Sequence, residues 1–130
     1  MPLYGILPIK LSRLIKKLDT SILPNSLIHL NLGFTYNHEI TRLPSQLTYL
    51  ELSHNYEHQL PLLPESLTHL KLGDKYNHVL TKIPDSVVEL RLGIYFKQPL
   101  PKLPAFLKLL IVSRKFELPT MPSNVVVKFF

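Results

Sequence analysis

The chain has 130 residues, contains no cysteine and carries a formal net charge of +6 at pH 7. This length suits one domain, and the lack of cysteine excludes disulfides, thiolate metal sites and cysteine nucleophiles. Prolines and charges interrupt every apolar stretch before it reaches membrane-spanning length, and the lack of cysteine favours a reducing, cytoplasmic location.

The first 22 residues differ from the rest of the chain. They have no basic run ahead of an apolar core, so they do not predict a secretory signal. Residues 7–14 begin like the repeats that follow, whereas residues 9–18 place aliphatic side chains on one face of a short amphipathic helix. Both patterns predict that residues 1–22 form an N-terminal cap or a degenerate first repeat.

Residues 23–120 consist of five repeats of 20 residues. A Leu-Pro or Ile-Pro pair opens each repeat, and these pairs start at Leu23, Leu43, Leu63, Ile83 and Leu103. The spacing Leu-x-x-Leu-x-Leu follows, as at Leu47, Leu50 and Leu52 in the second repeat. Self-similarity at this period is typical of a solenoid, and this spacing is that of a leucine-rich-repeat strand.

The sequence therefore predicts a repeat solenoid that is mostly β: a leucine-rich-repeat arc with a parallel sheet on its concave side. One coil alone cannot fold. Burial stabilises it by about 2 kcal/mol for each apolar side chain, but ordering costs about 1.5 kcal/mol for every residue, and most residues of a coil are not buried apolar ones. Stacked coils share their buried faces. Little room remains for a helix after the strand, so the proline-rich convex side is predicted to be largely non-helical.

Residues 121–130 predict a terminal strand with an open edge, and such edges tend to pair with another chain. Its alternate apolar residues Val125, Val127 and Phe129 are a candidate self-association edge. A homodimer through this strand, and with it a self-associating structural repeat protein, is one alternative interpretation.

The candidate binding surface is the concave face of the predicted sheet. Strand residues between the leucines face this surface, because side chains alternate along a strand. The leucine framework repeats strictly, whereas these residues vary in chemistry: His29, Asn31, Tyr49, Glu51, His69, Lys71, Glu89 and Arg91. Tyr49 and Arg91 are the preferred hot spots, since their residue types dominate interfaces. The alternative is a solvated face on which the neighbouring acids and bases simply pair.

His38, His58 and His78 recur once per repeat and could chelate a metal ion. Gln98 occupies the fourth equivalent position, and no cysteine or carboxylate cluster completes a tetrahedral set. The pattern favours stacked turn histidines over a metal site, and no cofactor is expected.

Catalysis and nucleic-acid binding have less support. The sequence contains no phosphate-binding loop, serine-hydrolase motif or zinc-protease motif, so an enzyme is not predicted. The basic residues lie towards the two ends of the chain instead of forming one stripe, which argues against nucleic acid as a partner. The nucleic-acid alternative would use Lys10, Lys16, Lys17, Lys97, Lys108, Arg114 and Lys115. A membrane partner is not predicted.

Two stretches carry a family signature, Tyr36-Asn37-x-x-Ile40-x-x-Leu43-Pro44 and its counterpart in residues 76–84. With the Ser-Leu pairs and the glycines after the strands, they resemble the FNIP-repeat family. These are leucine-rich-repeat-like proteins of amoebae and of large DNA viruses that infect them. The resemblance covers residues 23 to about 118, although tyrosine replaces the signature phenylalanine in three coils and the asparagine is absent at residues 57, 97 and 117.

This resemblance implies a protein-interaction module that uses its concave face, with a host-cell cytoplasmic location if the protein is viral. Many FNIP-repeat proteins place an F-box before the repeats, which implies substrate recognition linked to host ubiquitin ligases. Residues 7–19 are similar only to the start of an F-box, and the repeats begin before its remaining helices would fit. The repeats are also similar to those of bacterial effectors with a ubiquitin-ligase domain, whose catalytic cysteine this chain lacks.

Overall fold

A computed structural model describes residues 22–130, so the predicted cap in residues 1–22 lies almost entirely outside the described residues. The described part contains six strands: β1 His29–Asn31, β2 Tyr49–Glu51, β3 His69–Lys71, β4 Glu89–Arg91, β5 Leu109–Val112 and β6 Val126–Phe129. They form one parallel sheet in chain order. No α-helix occurs in residues 22–130. The predicted fold, a parallel solenoid with a largely non-helical back, is confirmed.

The register of the sheet follows the sequence repeat. Leu30 pairs with Leu50, which pairs with Leu70, so equivalent residues of adjacent coils lie side by side from β1 to β5. The last step is shorter, because Leu110 pairs with Val127. One sequence repeat is therefore one coil, and the final coil has three residues fewer than the others.

The leucine framework forms one continuous core. In each of β1 to β4 the central leucine is buried and both flanking residues are partly exposed. On the back of each coil, the amide three residues after the proline donates to that proline's carbonyl oxygen, as from Leu27 to Pro24 at 3.1 Å and from Leu67 to Pro64 at 3.1 Å. A proline suits this turn because it has no N–H to leave unpaired. The back is thus a series of turns, one for each coil.

A column of aromatic rings runs through the core. Tyr36, Tyr56, Tyr76 and Phe96 are buried and stack with centroids 6.3–6.4 Å apart, whereas the last ring, Phe116, is partly exposed and tilted. The aromatic residues of this column therefore belong to the core and do not form a surface on which a ligand could stack.

The buried tyrosine hydroxyls differ in their hydrogen bonds. The Ile40 amide donates to the Tyr56 hydroxyl at 3.1 Å. The equivalent Leu60 amide also acts on the Tyr76 hydroxyl, but within the described residues no hydrogen bond of normal geometry reaches that hydroxyl. The two tyrosines therefore form a matched pair with similar burial and different bonding.

We expect Tyr56→Phe to destabilise the protein by about 1–3 kcal/mol, because it leaves the Ile40 amide buried without an acceptor. Tyr76→Phe is the control, with an expected loss well below about 1 kcal/mol, since its hydroxyl satisfies little. Urea denaturation of both variants measures the difference. Equal losses would show that the Tyr56 hydrogen bond does not stabilise the fold.

Alkaline pH should also destabilise the fold. Burial raises the pKa of Tyr56 to about 12, with the Ile40 hydrogen bond acting in the opposite direction, and burial raises the pKa of Tyr76. As pH rises from about 10 to about 12, tyrosines ionise in the unfolded chain before Tyr56 ionises in the folded one, so the folded state holds more protons and stability falls. The loss from Tyr56 is about 2–3 kcal/mol.

Urea midpoints measured at about pH 9 and at about pH 11.5 test this expectation. Tyr56→Phe should lose less stability over this interval than the natural chain. An identical loss in both proteins would show that Tyr56 titrates with its ordinary pKa.

Candidate binding surface

The eight predicted concave residues lie together on β1 to β4. Each is half-exposed and flanks a buried leucine, so all eight share the solvent-facing side of the sheet. We call this surface the strand face. It has two columns: the first contains His29, Tyr49, His69 and Glu89, and the second contains Asn31, Glu51, Lys71 and Arg91.

The first column is a row of stacked rings. The rings of His29 and Tyr49 are parallel within 6°, with centroids 4.1 Å apart, and the ring of His69 follows at 6.0 Å from Tyr49. Glu89 closes the row, because its carboxylate lies 3.7 Å from Nε2 of His69. These contacts fix the orientation of the rings, so the column presents flat apolar faces with polar edges.

The second column begins with a hydrogen-bonded carboxylate. Glu51 accepts from the Tyr49 hydroxyl at 2.6 Å and from the Asn31 amide at 3.2 Å. Burial, and then the hydrogen bond to Glu51, raise the pKa of Tyr49 above its ordinary value, with Lys71 opposing them. Tyr49 therefore remains a neutral hydroxyl at physiological pH and links both columns.

The two cations of the second column contact rings. Nζ of Lys71 lies 5.4 Å from the centre of the Tyr49 ring, and the Arg91 guanidinium lies 4.7 Å from the centre of the Phe130 ring. The ordinary pairing considered from the sequence, between Glu51 and Lys71 and between Glu89 and either Lys71 or Arg91, gives no ion pair within 4 Å in the described part of the chain.

A further column, which sequence analysis missed, lies in the turns after the strands. The rings of Phe34 and His54 stack 4.6 Å apart, Nδ1 of His54 lies 3.0 Å from Asp74, and the Ile94 amide donates to Asp74 at 3.4 Å. The available signal was the recurrence of these positions every 20 residues, immediately after the residues at 33, 53, 73 and 93. The alternation of side chains along a strand ends at the turn, so it could not predict which way the side chains of these turn residues point.

This turn column and the second strand column enclose a shallow groove of about 300 Å³. Phe34, His54 and Asp74 form one wall, and Glu51, Lys71 and Arg91 form the other. The groove has room for one or two side chains of a partner, not for a domain.

Two of the three turn histidines, His58 and His78, make hydrogen bonds, whereas the His38 ring meets the Tyr36 ring edge-on with centroids 5.6 Å apart. Nε2 of His58 lies 3.0 Å from the Asn37 carbonyl oxygen, and His78 contacts the Glu57 carbonyl in the same way. Gln98 donates to the Asn77 carbonyl at 3.3 Å, so glutamine performs the same role at the fourth position. Among residues 22–130, no three histidine, aspartate or glutamate side chains are grouped closely enough to hold a metal ion.

We expect His58→Gln to change stability by less than about 0.5 kcal/mol, because Gln98 already makes this contact, whereas His58→Ala should lose about 1 kcal/mol. Thermal melting of both variants, with and without added zinc, measures this. A zinc-dependent rise in melting temperature, lost in His58→Gln, would contradict the structural role.

The predicted self-association residues lie at and beside β6. Val125 and Val127 are partly buried and pack against the core, whereas Phe129 is 48% exposed. The basic residues of the nucleic-acid alternative that fall in the described part are exposed: Lys97, Lys108, Arg114 and Lys115. No helix in residues 22–130 is long and apolar enough to cross a membrane.

Comparison with known proteins gives two findings. A family model described as FNIP Repeat matches residues 16–55 and 56–95. The fold is similar to the crystal structure of CroV588, described as a novel circular LRR protein structure, at 26% sequence identity and a TM-score of 0.67. That match covers 87% of this chain and 22% of the other, so this chain spans less than a quarter of that protein's length. A comparison with curated proteins found no significant match.

Proposed function

The chain belongs to the FNIP Repeat family, and on that premise we propose that it binds a partner protein through the strand face. A leucine-rich-repeat-like solenoid is typically a non-enzymatic scaffold for protein interaction. More specifically, we propose that the protein recognises substrates for host ubiquitin ligases, and this step is supported by the family resemblance alone.

The main support for the proposal is the contrast between the constant buried leucines and the variable exposed residues of the strand face. Buried leucines repeat without change at the centres of β1 to β4, whereas the residues beside them change at every step. Packing constrains the first set, and nothing in the fold requires the variety of the second. A surface that varies on a constant scaffold is typical of solenoids that bind proteins.

The chemistry of the strand face suits a protein partner. Tyr49 and Arg91 belong to residue types enriched at interface hot spots, and both are half-buried, so a partner could desolvate them fully. The stacked rings are already ordered by their neighbours, which lowers the entropy that binding costs. Four strands span roughly 15 Å, which suits an extended segment or the edge of a folded protein.

The experiment is an affinity pull-down from host-cell lysate with the natural chain and with Tyr49→Ala/Arg91→Glu. The matched control is Tyr95→Ala/Arg114→Glu, which makes the same two chemical changes at exposed positions outside the strand face. All three proteins must first show similar melting temperatures.

A protein captured by the natural chain and the control, and lost with the strand-face variant, supports the proposal. Cullin-ligase subunits or their substrates among such proteins would support the ubiquitin link. Equal capture by all three proteins contradicts the proposal, and binding that falls steeply with salt and requires nucleic acid would favour the nucleic-acid alternative.

A further inference from the structure

Lys71 and Arg91 form a pair of like charges on neighbouring strands. Their Cα atoms are register partners in β3 and β4, and both side chains face the groove beside the strand face. Like charges at directly opposite positions of adjacent strands destabilise a sheet. Such a pair normally persists because an opposite charge lies between or beside its members.

Acids lie near this pair, since Glu51 is the register partner of Lys71 and Glu89 that of His69, but none of them forms an ion pair with either cation in the described residues. Between residues 22 and 130, neither Lys71 nor Arg91 takes part in an ion pair within 4 Å. The three nearby acids are engaged elsewhere, because Glu51 accepts from Tyr49 and Asn31, Glu89 lies beside His69, and Asp74 lies beside His54 and accepts from the Ile94 amide.

The two cations are instead held by rings. An aromatic face attracts a cation without neutralising it, and a guanidinium over a ring keeps the N–H groups at its edge available. Arg91 lies over Phe130 and Lys71 over Tyr49. The pair is therefore oriented and half-buried, and no carboxylate of the described residues contacts it as an ion pair.

We propose that Lys71 and Arg91 receive a carboxylate from an acidic side chain of the protein partner, inserted into the groove between the strand face and Asp74. This inference rests on the proposed function and names the chemistry of its central contact. A planar carboxylate matches the edge of a guanidinium with two parallel hydrogen bonds. A doubly charged phosphate fits less well, because Glu51 and Asp74 line the same groove.

The direct test uses a fluorescent hexaglutamate peptide with blocked ends, and hexaglutamine as its neutral counterpart. Saturable binding of hexaglutamate at low salt, weakened at least about tenfold by Lys71→Gln/Arg91→Gln, is the expected result. The control Lys97→Gln/Arg114→Gln removes the same charge from exposed sites and should weaken binding less than about twofold. Competition by acetate should equal or exceed competition by inorganic phosphate.

Three outcomes would overturn the inference: no saturable binding of hexaglutamate, an equal loss in the control, or stronger competition by phosphate than by acetate. Pull-down with Tyr49→Ala beside Lys71→Gln/Arg91→Gln separates this inference from the proposed function. A partner lost with the first variant and retained with the second refutes the carboxylate site and leaves the strand-face function standing. A partner retained with both refutes both.

Discussion

Tyr76→Ala is expected to lower the free energy of unfolding by about 3–5 kcal/mol, the cost of removing a large buried aromatic side chain. The Tyr76 ring has no solvent exposure and stacks between Tyr56 at 6.3 Å and Phe96 at 6.4 Å. Its removal leaves a cavity in the middle of the column, where the neighbouring coils cannot collapse without breaking their strand register.

The loss of stability should exceed that of one side-chain contact. Each coil contacts only its neighbours, so a destabilised coil weakens the coupling between the coils on either side of it. Urea denaturation measures the loss, with Tyr95→Ala as control because Tyr95 is 56% exposed. A loss below about 1 kcal/mol for Tyr76→Ala would mean that the column does not stabilise the solenoid.

Gly73→Ala is expected to destabilise the protein by roughly 3 kcal/mol, at the upper end of the usual cost of overpacking. A Cβ at Gly73 would lie 1.8 Å from the Ser53 carbonyl oxygen, and one at Gly93 would lie 2.1 Å from the Gly73 carbonyl oxygen. Backbone atoms of the preceding coil cannot rotate away as a side chain can, so the two coils would have to separate.

Ser113→Ala is the matched control, because Ser113 occupies the equivalent position and already carries a Cβ. It should lose no more than about 1 kcal/mol, from the hydrogen bond that the Lys115 amide donates to it at 3.2 Å. If Gly73→Ala were as stable as the natural chain, the close approach of adjacent coils would not be the reason that residue 73 is glycine.

The sequence predicted the strands and their outward-facing residues well. Period and alternation together determine which residue of one coil lies beside which residue of the next, so Leu30, Leu50 and Leu70 became register partners as expected. The FNIP assignment is confirmed by the match to residues 16–55 and 56–95.

The local contacts of the strand face could not be predicted in this way. Glu51 and Lys71 are register partners but form no direct ion pair in the described residues, where the Tyr49 hydroxyl and the Asn31 amide donate to Glu51 and Lys71 lies over the Tyr49 ring. Such contacts depend on the length and the rotamer of each side chain, and a repeat pattern gives no information about the rotamers or about which neighbour a side chain reaches.

The contact between Arg91 and Phe130 depends on the shortened last coil. The Phe130 amide donates to the Val112 carbonyl at 3.0 Å, and the Arg114 amide donates to the Phe130 carbonyl at 3.1 Å. These bonds hold Phe130 beside β5, where its ring reaches Arg91. A strict 20-residue repeat would place Phe130, and not Val127, beside Leu110, so the sequence repeat alone predicts the wrong neighbours here.

Hydroxyl-radical footprinting of the complex with a partner identified by pull-down shows which surface of the protein the partner covers. Tyr49 lies on the strand face, and Tyr95 is exposed elsewhere on the same chain. If the partner binds the strand face, it protects Tyr49 from oxidation and leaves Tyr95 as reactive as in the free protein. Protection of Tyr95 with an unchanged Tyr49 would show that the partner binds another surface.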